Sequence, residues 1–203
     1  MDNGVVRPSI QGSRKMIKHE PLAFDLGPTA IQQALNGDIH PQYPQQHGLG
    51  EYCAQFRDGT TAAINSKGSQ PYTYMGRTIS QLRKIAKDRL LDEKFNKRIQ
   101  IVTWDKFEDL GAENPPCWQL ADICNIENNE CEITTMFRSH DLFGAWQFNN
   151  IALLRYISEE VLEELELVPV RFVEFNTSCH VYDYDWYKAA KVNLIPAALS
   201  RQV

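Results

Sequence analysis

Apolar and polar residues alternate from Glu130 to Arg138. Cys131, Ile133, Thr135 and Phe137 take one phase; Glu132, Thr134, Met136 and Arg138 take the other. A period of two marks a strand with one buried face. A helical period runs from Thr78 to Leu91, where Ile79, Leu82, Ile85 and Leu90 share a face, and Thr78 with Gln81 reads as a capping box at its start. A longer helix is predicted from Phe148 to Leu165, with Ile151, Leu154, Val161 and Leu165 turned inward. Ile99–Trp104, Val170–Phe175 and Cys179–Tyr182 read as strands, Asn125–Glu130 as a turn, and Glu51–Arg57 as a short helix ended by Asp58-Gly59. Before Gly50 the chain is rich in Pro, Gly, Gln and His, and only Leu22–Leu26 is strand-like. Pro41 to Gly48 reads as a loop. Strands and helices mix without a βαβ rhythm, so the expected class is α+β. The expected organisation is one domain over residues 1–203, irregular over 1–50.

Composition narrows the function classes. A chain of 203 residues, 43% hydrophobic and 23% charged, can bury a sizeable core. The formal net charge of −5 argues against a general nucleic-acid binder. No apolar run is long enough to span a membrane, and Met1-Asp2-Asn3-Gly4 lacks the basic and apolar regions of a secretory leader. A cytoplasmic, reducing location is therefore expected. Five cysteines are an odd number in a chain too large to need disulfides. Cys117, Cys124 and Cys131 stand seven apart, which is not the close pairing of structural zinc, so no metal is expected. Cys53, Cys124 and Cys131 read as buried or idle thiols.

Candidate chemistry concentrates in two segments. Asn114-Pro115-Pro116-Cys117 places a thiol on a stiff stretch, because the first proline biases Asn114 away from the helical region and Pro116 has a fixed φ. Arg138-Ser139-His140-Asp141 follows. Arg138 can bind an anion and can favour the nucleophilic thiolate of Cys117. Thiol and guanidinium together suggest covalent catalysis on a phosphorylated substrate. Taken alone, Pro-Pro-Cys also fits a buried structural cysteine.

Over residues 72 to 187 these segments fall into a longer pattern: Pro115-Pro116-Cys117, Arg138-Ser139-His140-Asp141-Leu142-Phe143-Gly144-Ala145, Phe148-Asn149 and His180-Val181-Tyr182. In order and spacing the pattern resembles thymidylate synthase, particularly its compact archaeal type, and the related pyrimidine-nucleotide hydroxymethylases. The resemblance implies a mixed sheet with a long central helix, two sheets packed back to back in a homodimer, and a uracil nucleotide such as deoxyuridylate as substrate. It implies 5,10-methylenetetrahydrofolate, or a related methylene-pterin, as co-substrate, with no membrane and no obligatory nucleic acid. It makes Cys117 the nucleophile that adds to C6 of the ring and so makes C5 reactive. It gives Arg138 and Ser139 to the phosphate, Asn149 to the base, His180 and Tyr182 to the sugar hydroxyl, and Asp141 to the folate. Lys97 and Arg98 resemble the basic pair that a dimer partner lends to the phosphate, with a lysine where the family's first arginine stands. Glu51 falls where the family keeps its proton-relay glutamate, though the apolar residues after it are not reproduced; the other reading is a solvated helix glutamate. Tyr74, or else Tyr72, would face the site, and Arg7 and Arg14 compete for the N-terminal phosphate arginine.

One departure bears on the product. Only 21 residues follow Tyr182, where the family has a long C-terminal region that closes over folate. A closed lid excludes water while a hydride completes a methyl group; an open site lets water add and give a hydroxymethyl product. Methylation of deoxyuridylate is the first expectation and hydroxymethylation the alternative. A non-catalytic homologue that binds a nucleotide or RNA is the expectation from another class.

Overall fold

The structure is a computed structural model that describes residues 16–38, 49–58, 74–96, 98–112, 115–185 and 189. Among the described residues six strands form one mixed sheet: β1 (Met16–Leu26), β2 (Gln100–Val102), β3 (Trp118–Asn125), β4 (Glu130–Phe137), β5 (His140–Asp141) and β6 (Val168–Tyr182). The order is β1-β6-β4-β3-β2, with β5 also paired to β6. β6 runs parallel to β4 and β5 and antiparallel to β1, while β4–β3 and β3–β2 are antiparallel. The helices are α1 (Pro28–Asn36), α2 (Leu49–Asp58), α3 (Tyr74–Lys87) and α4 (Trp146–Ile157), and a π-helical segment, Ser158–Leu162, continues α4.

The alternation in β4 appears as read: Cys131, Ile133, Thr135 and Phe137 are buried and their neighbours half-buried. The predicted turn joins β3 to β4, with Asn128 and Asn129 both at positive φ. Asparagine tolerates that region, and two such residues suit a tight hairpin. α4 is apolar nearly all round and buried accordingly, from Phe148 through Leu154 and again at Tyr156 and Ile157. Trp118, Ile123, Ile133, Phe137 and Phe172 of the sheet pack with Leu82 and Ile85 of α3 and with Leu153, Leu154 and Ile157 of α4. The sheet's other phase leaves Val102, Val168 and Phe175 exposed.

Several expected boundaries move. The stretch before Gly50, expected to be irregular, holds β1 and α1. Pro28 at the helix start and left-handed Gly37 at its end bound α1, and Ile31 is its buried residue. The two strands expected over 170–175 and 179–182 are one strand, β6. β3 was not anticipated as an element, because Trp118–Asn125 mixes buried and half-buried positions without clean alternation. The Thr78–Gln81 capping box does not form, since α3 begins at Tyr74. Thr78 Oγ1 donates to the Tyr74 carbonyl (2.7 Å). Gln81 pairs instead with β2: its Nε2 donates to the Val102 carbonyl (2.8 Å) and its Oε1 accepts from the Val102 N–H (2.9 Å). The expected helix start at Phe148 moves to Trp146, which places Asn149 within the first turn of α4. The loop Pro41–Gly48 lies outside the described residues.

Candidate active site

Strand register brings the two chemical segments together. Trp118 pairs with Phe137, so the residues just outside those strands meet, and the Arg138 N–H donates to the Cys117 carbonyl (2.8 Å). The Arg138 side chain folds back over the proline segment. Nε donates to the Pro116 carbonyl (2.9 Å), Nη2 donates to the Pro115 carbonyl (2.7 Å), and Nη2 lies 3.8 Å from Cys117 Sγ. Gln119 Nε2 adds a second bond to the Pro116 carbonyl (2.7 Å). The guanidinium thus fixes the stiff segment as well as facing the sulfur.

The expected thiolate is not favoured overall. Burial pushes the Cys117 thiol above its ordinary pKa, and the Arg138 charge pulls it down without cancelling that effect. Beside it, the Tyr74 hydroxyl lies 3.4 Å from the Trp118 N–H, and its ring packs edge-on against Trp118.

Behind this pair runs a buried polar chain. Asn149 Oδ1 accepts a short hydrogen bond from the Tyr52 hydroxyl, and Asn149 Nδ2 lies 3.0 Å from His140 Nε2. His140 Nδ1 faces Glu174 Oε1 (2.9 Å) and Asn176 Oδ1 (3.1 Å), and Asn176 Nδ2 donates to Glu174 Oε1 (2.5 Å). The His140 ring stacks on Phe137 at 4.1 Å. His140, Asn149, Glu174 and Asn176 are all buried. Tyr52 is held protonated well above its ordinary range, first by burial and then by the charges of Cys117, Cys53 and Asp141.

Of the expected residues, Cys117, Arg138, Ser139, Asp141, Asn149, Tyr74, His180 and Tyr182 cluster around these elements. Ser139 is half-buried at the link between β4 and β5. Asp141 pairs in register with His180, and the Leu142 N–H donates to the His180 carbonyl (2.9 Å). Asp141 Oδ1 accepts from the Phe143 N–H (3.1 Å), which makes it a turn cap. His180 and Tyr182 share a side, their rings 4.7 Å apart. His180 Nδ1 lies 3.3 Å from the Ser178 carbonyl, while its buried Nε2 has no partner among the described residues.

Arg98 does not join them. It is exposed and precedes β2, whose Gln100 pairs with Asp122, so it lies toward the far end of β3 from Cys117. Seven residues along a strand is roughly 24 Å. Glu51 is on α2, and Lys97, Tyr72, Arg7, Arg14 and Asn114 lie outside the described residues. Tyr52, His140, Glu174 and Asn176 were not singled out from the sequence. Glu174 carried a usable signal: with Phe172 and Asn176 it occupies the buried phase of β6, where a carboxyl is out of place. Among the described residues no group of three or more His, Cys, Asp or Glu side chains is placed to hold a metal ion. No described helix is long and apolar enough to cross a membrane.

Comparison with known proteins shows the family. The family model for thymidylate synthase matches residues 15–201, and the chain belongs to that family. Its mixed sheet with few helices is compatible with the family fold. Three archaeal relatives carry the name "putative thymidylate synthase". The protein of Methanococcoides burtonii is 32% identical over 105 residues, covering 52% of this chain and 48% of that one. The protein of Methanothermobacter thermautotrophicus is 29% identical over 145 residues, covering 71% and 63%. The protein of Methanopyrus kandleri is 30% identical over 150 residues, covering 73% and 70%. The match therefore spans about half to two-thirds of the length of the first two relatives.

Proposed function

We propose that this chain forms a carbon–carbon bond at C5 of a uracil nucleotide, converting deoxyuridylate to thymidylate. The observation that carries the reading is the meeting of the Cys117 thiol and the Arg138 guanidinium at 3.8 Å, on a proline segment that cannot swing away. Methylene-tetrahydrofolate, or a related methylene-pterin, supplies the one-carbon unit and the hydride. Two features fit these ligands. The unpartnered Nε2 of His180 is an acceptor for a sugar hydroxyl, because its Nδ1 faces a carbonyl. The half-buried Asp141 is held by the turn that its Oδ1 caps.

In this reading the Cys117 sulfur bonds to C6, the C5–C6 π electrons move onto C4–O4, and C5 becomes the nucleophile. At the end the C6–S bond breaks and the thiolate is regenerated. Burial raises the Cys117 pKa, so the thiol must give up its proton before or as the sulfur bonds to C6. Arg138 and Ser139 receive the phosphate, and Asn149 reads the uracil edge with one donor and one acceptor. Glu51 relays protons, Tyr74 borders the thiol, and Tyr182 backs His180. Lys97 and Arg98 act on the phosphate of a partner subunit.

Mass spectrometry of the product from deoxyuridylate and methylene-tetrahydrofolate tests the reading. A gain of a methyl group is expected; a hydroxymethyl product would reassign the second half of the reaction, and no product would overturn the proposal. Cys117→Ser should abolish tritium release from C5-labelled deoxyuridylate yet keep nucleotide binding within about tenfold, since a hydroxyl is a far poorer nucleophile. Near-normal release would exclude the covalent step.

A further inference from the structure

The buried chain behind Asn149 has a direction. His140 Nδ1 lies between two acceptors, Glu174 Oε1 at 2.9 Å and Asn176 Oδ1 at 3.1 Å. Asn176 cannot turn its amide over, because its Nδ2 donates to Glu174 Oε1. The ring proton therefore sits on Nδ1, and Nε2 keeps its lone pair. Asn149 Nδ2, 3.0 Å away, is the matching donor. At the other end, the Tyr52 hydroxyl donates to Asn149 Oδ1. Stacking on Phe137 holds the imidazole plane. His140 is 2% exposed, Asn149 6% and Glu174 0%, so solvent does not compensate a reversed group.

We propose that His140, fixed by Glu174 and Asn176, is a positioning residue that orients the Asn149 amide and so sets the preference for uracil over cytosine. The proposal rests on the reading of Asn149 as the base-facing residue. Held this way, Asn149 has one N–H and one oxygen lone pair left. These complement the O4 acceptor and N3–H donor of uracil. Moving the imidazole proton to Nε2 would turn the amide over. The same edge would then complement cytosine, whose amine donates and whose N3 accepts. Base choice is thus determined two residues away from the base, by a carboxyl on β6.

The test compares binding of deoxyuridine and deoxycytidine monophosphates by calorimetry, with melting temperatures alongside. His140→Asn keeps an atom near Nδ1 for Glu174 but loses the acceptor facing Asn149. Its uracil-over-cytosine ratio should fall about tenfold, the scale of one lost complementary hydrogen bond. His140→Gln places a carbonyl near the position of Nε2 and should keep most of the ratio. Long-range ¹⁵N–¹H spectra of the unaltered protein, which need no variant, should show the proton on Nδ1. An unchanged ratio in His140→Asn, while Asn149→Ala loses it, would overturn this proposal and leave the function standing. Equal loss in both His140 variants, or a proton on Nε2, would also overturn it. An unaltered protein that binds neither nucleotide would overturn both readings.

Discussion

The Cys117 thiol is harder to ionise than an ordinary cysteine, because burial outweighs the charge of Arg138. Its sign fixes a pH dependence. Below the raised pKa the thiol is protonated, so alkylation of Cys117 in the protein without added nucleotide should be slower than that of free cysteine near neutrality. The rate should keep rising at pH values where free cysteine has levelled off. Arg138→Gln removes the one contribution that lowers the pKa and should slow alkylation further; iodoacetamide labelling followed by mass spectrometry measures both. Asn149→Asp should shift preference from uracil to cytosine nucleotides. A carboxyl accepts from the exocyclic amine and, once protonated, donates to N3. A mismatched buried hydrogen bond costs about 1–3 kcal/mol, visible as a change in relative kcat/KM. Because Asn149 also donates to His140 and a carboxylic acid carries a single proton, the substituted side chain can donate to N3 or to His140 but not to both.

The turn between β5 and α4 is as tightly made as the strands around it. A Cβ on Gly144 would stand 2.3 Å from Asp141 Oδ2, while Asp141 Oδ1 is tied to the Phe143 N–H. Gly144→Ala must rotate that carboxyl and lose the cap, at about 1 kcal/mol. Urea unfolding should show the loss. On the proposed reading, KM for methylene-tetrahydrofolate should rise while KM for the nucleotide stays put. At this scale the chain was unevenly legible. β4 could be read because one face is buried and the other is not, and its hairpin because two asparagines mark it. β6 was split in two because Asn176-Thr177-Ser178 looks like a loop, yet Asn176 is buried in the polar chain and Thr177 Oγ1 donates to the Arg138 carbonyl (2.6 Å). His140 went unremarked inside its own motif. Its role depends on Glu174 and Asn176, more than thirty residues away, and only the parallel pairing of β6 beside β4 and β5 brings them within reach.

At the scale of the whole molecule, Arg98 is displaced from the site it is proposed to serve, and a second copy is the simplest way to bring it there. The exposed Val102, Val168 and Phe175 give the sheet an apolar outer face for such packing. Mixing inactive Cys117→Ser with inactive Arg98→Ala subunits should restore activity, because one site then keeps its own Cys117 and borrows an intact Arg98. The subunits must be dissociated and reassociated, and native mass spectrometry must show heterodimers. If heterodimers form and no activity returns, Arg98 serves its own subunit or no site. The pairing of β1 with β6 matters before any dimer exists. Leu22 lies opposite Asn176 and Phe24 opposite Glu174, so among the described strands the first made waits for the last. At about 5–20 residues per second, a ribosome needs roughly 8–30 seconds to cover that interval. For that time β1 is an unmatched edge, open to association with neighbouring nascent chains. The polar chain that holds His140 likewise stays incomplete until β6, which carries Glu174 and Asn176, emerges.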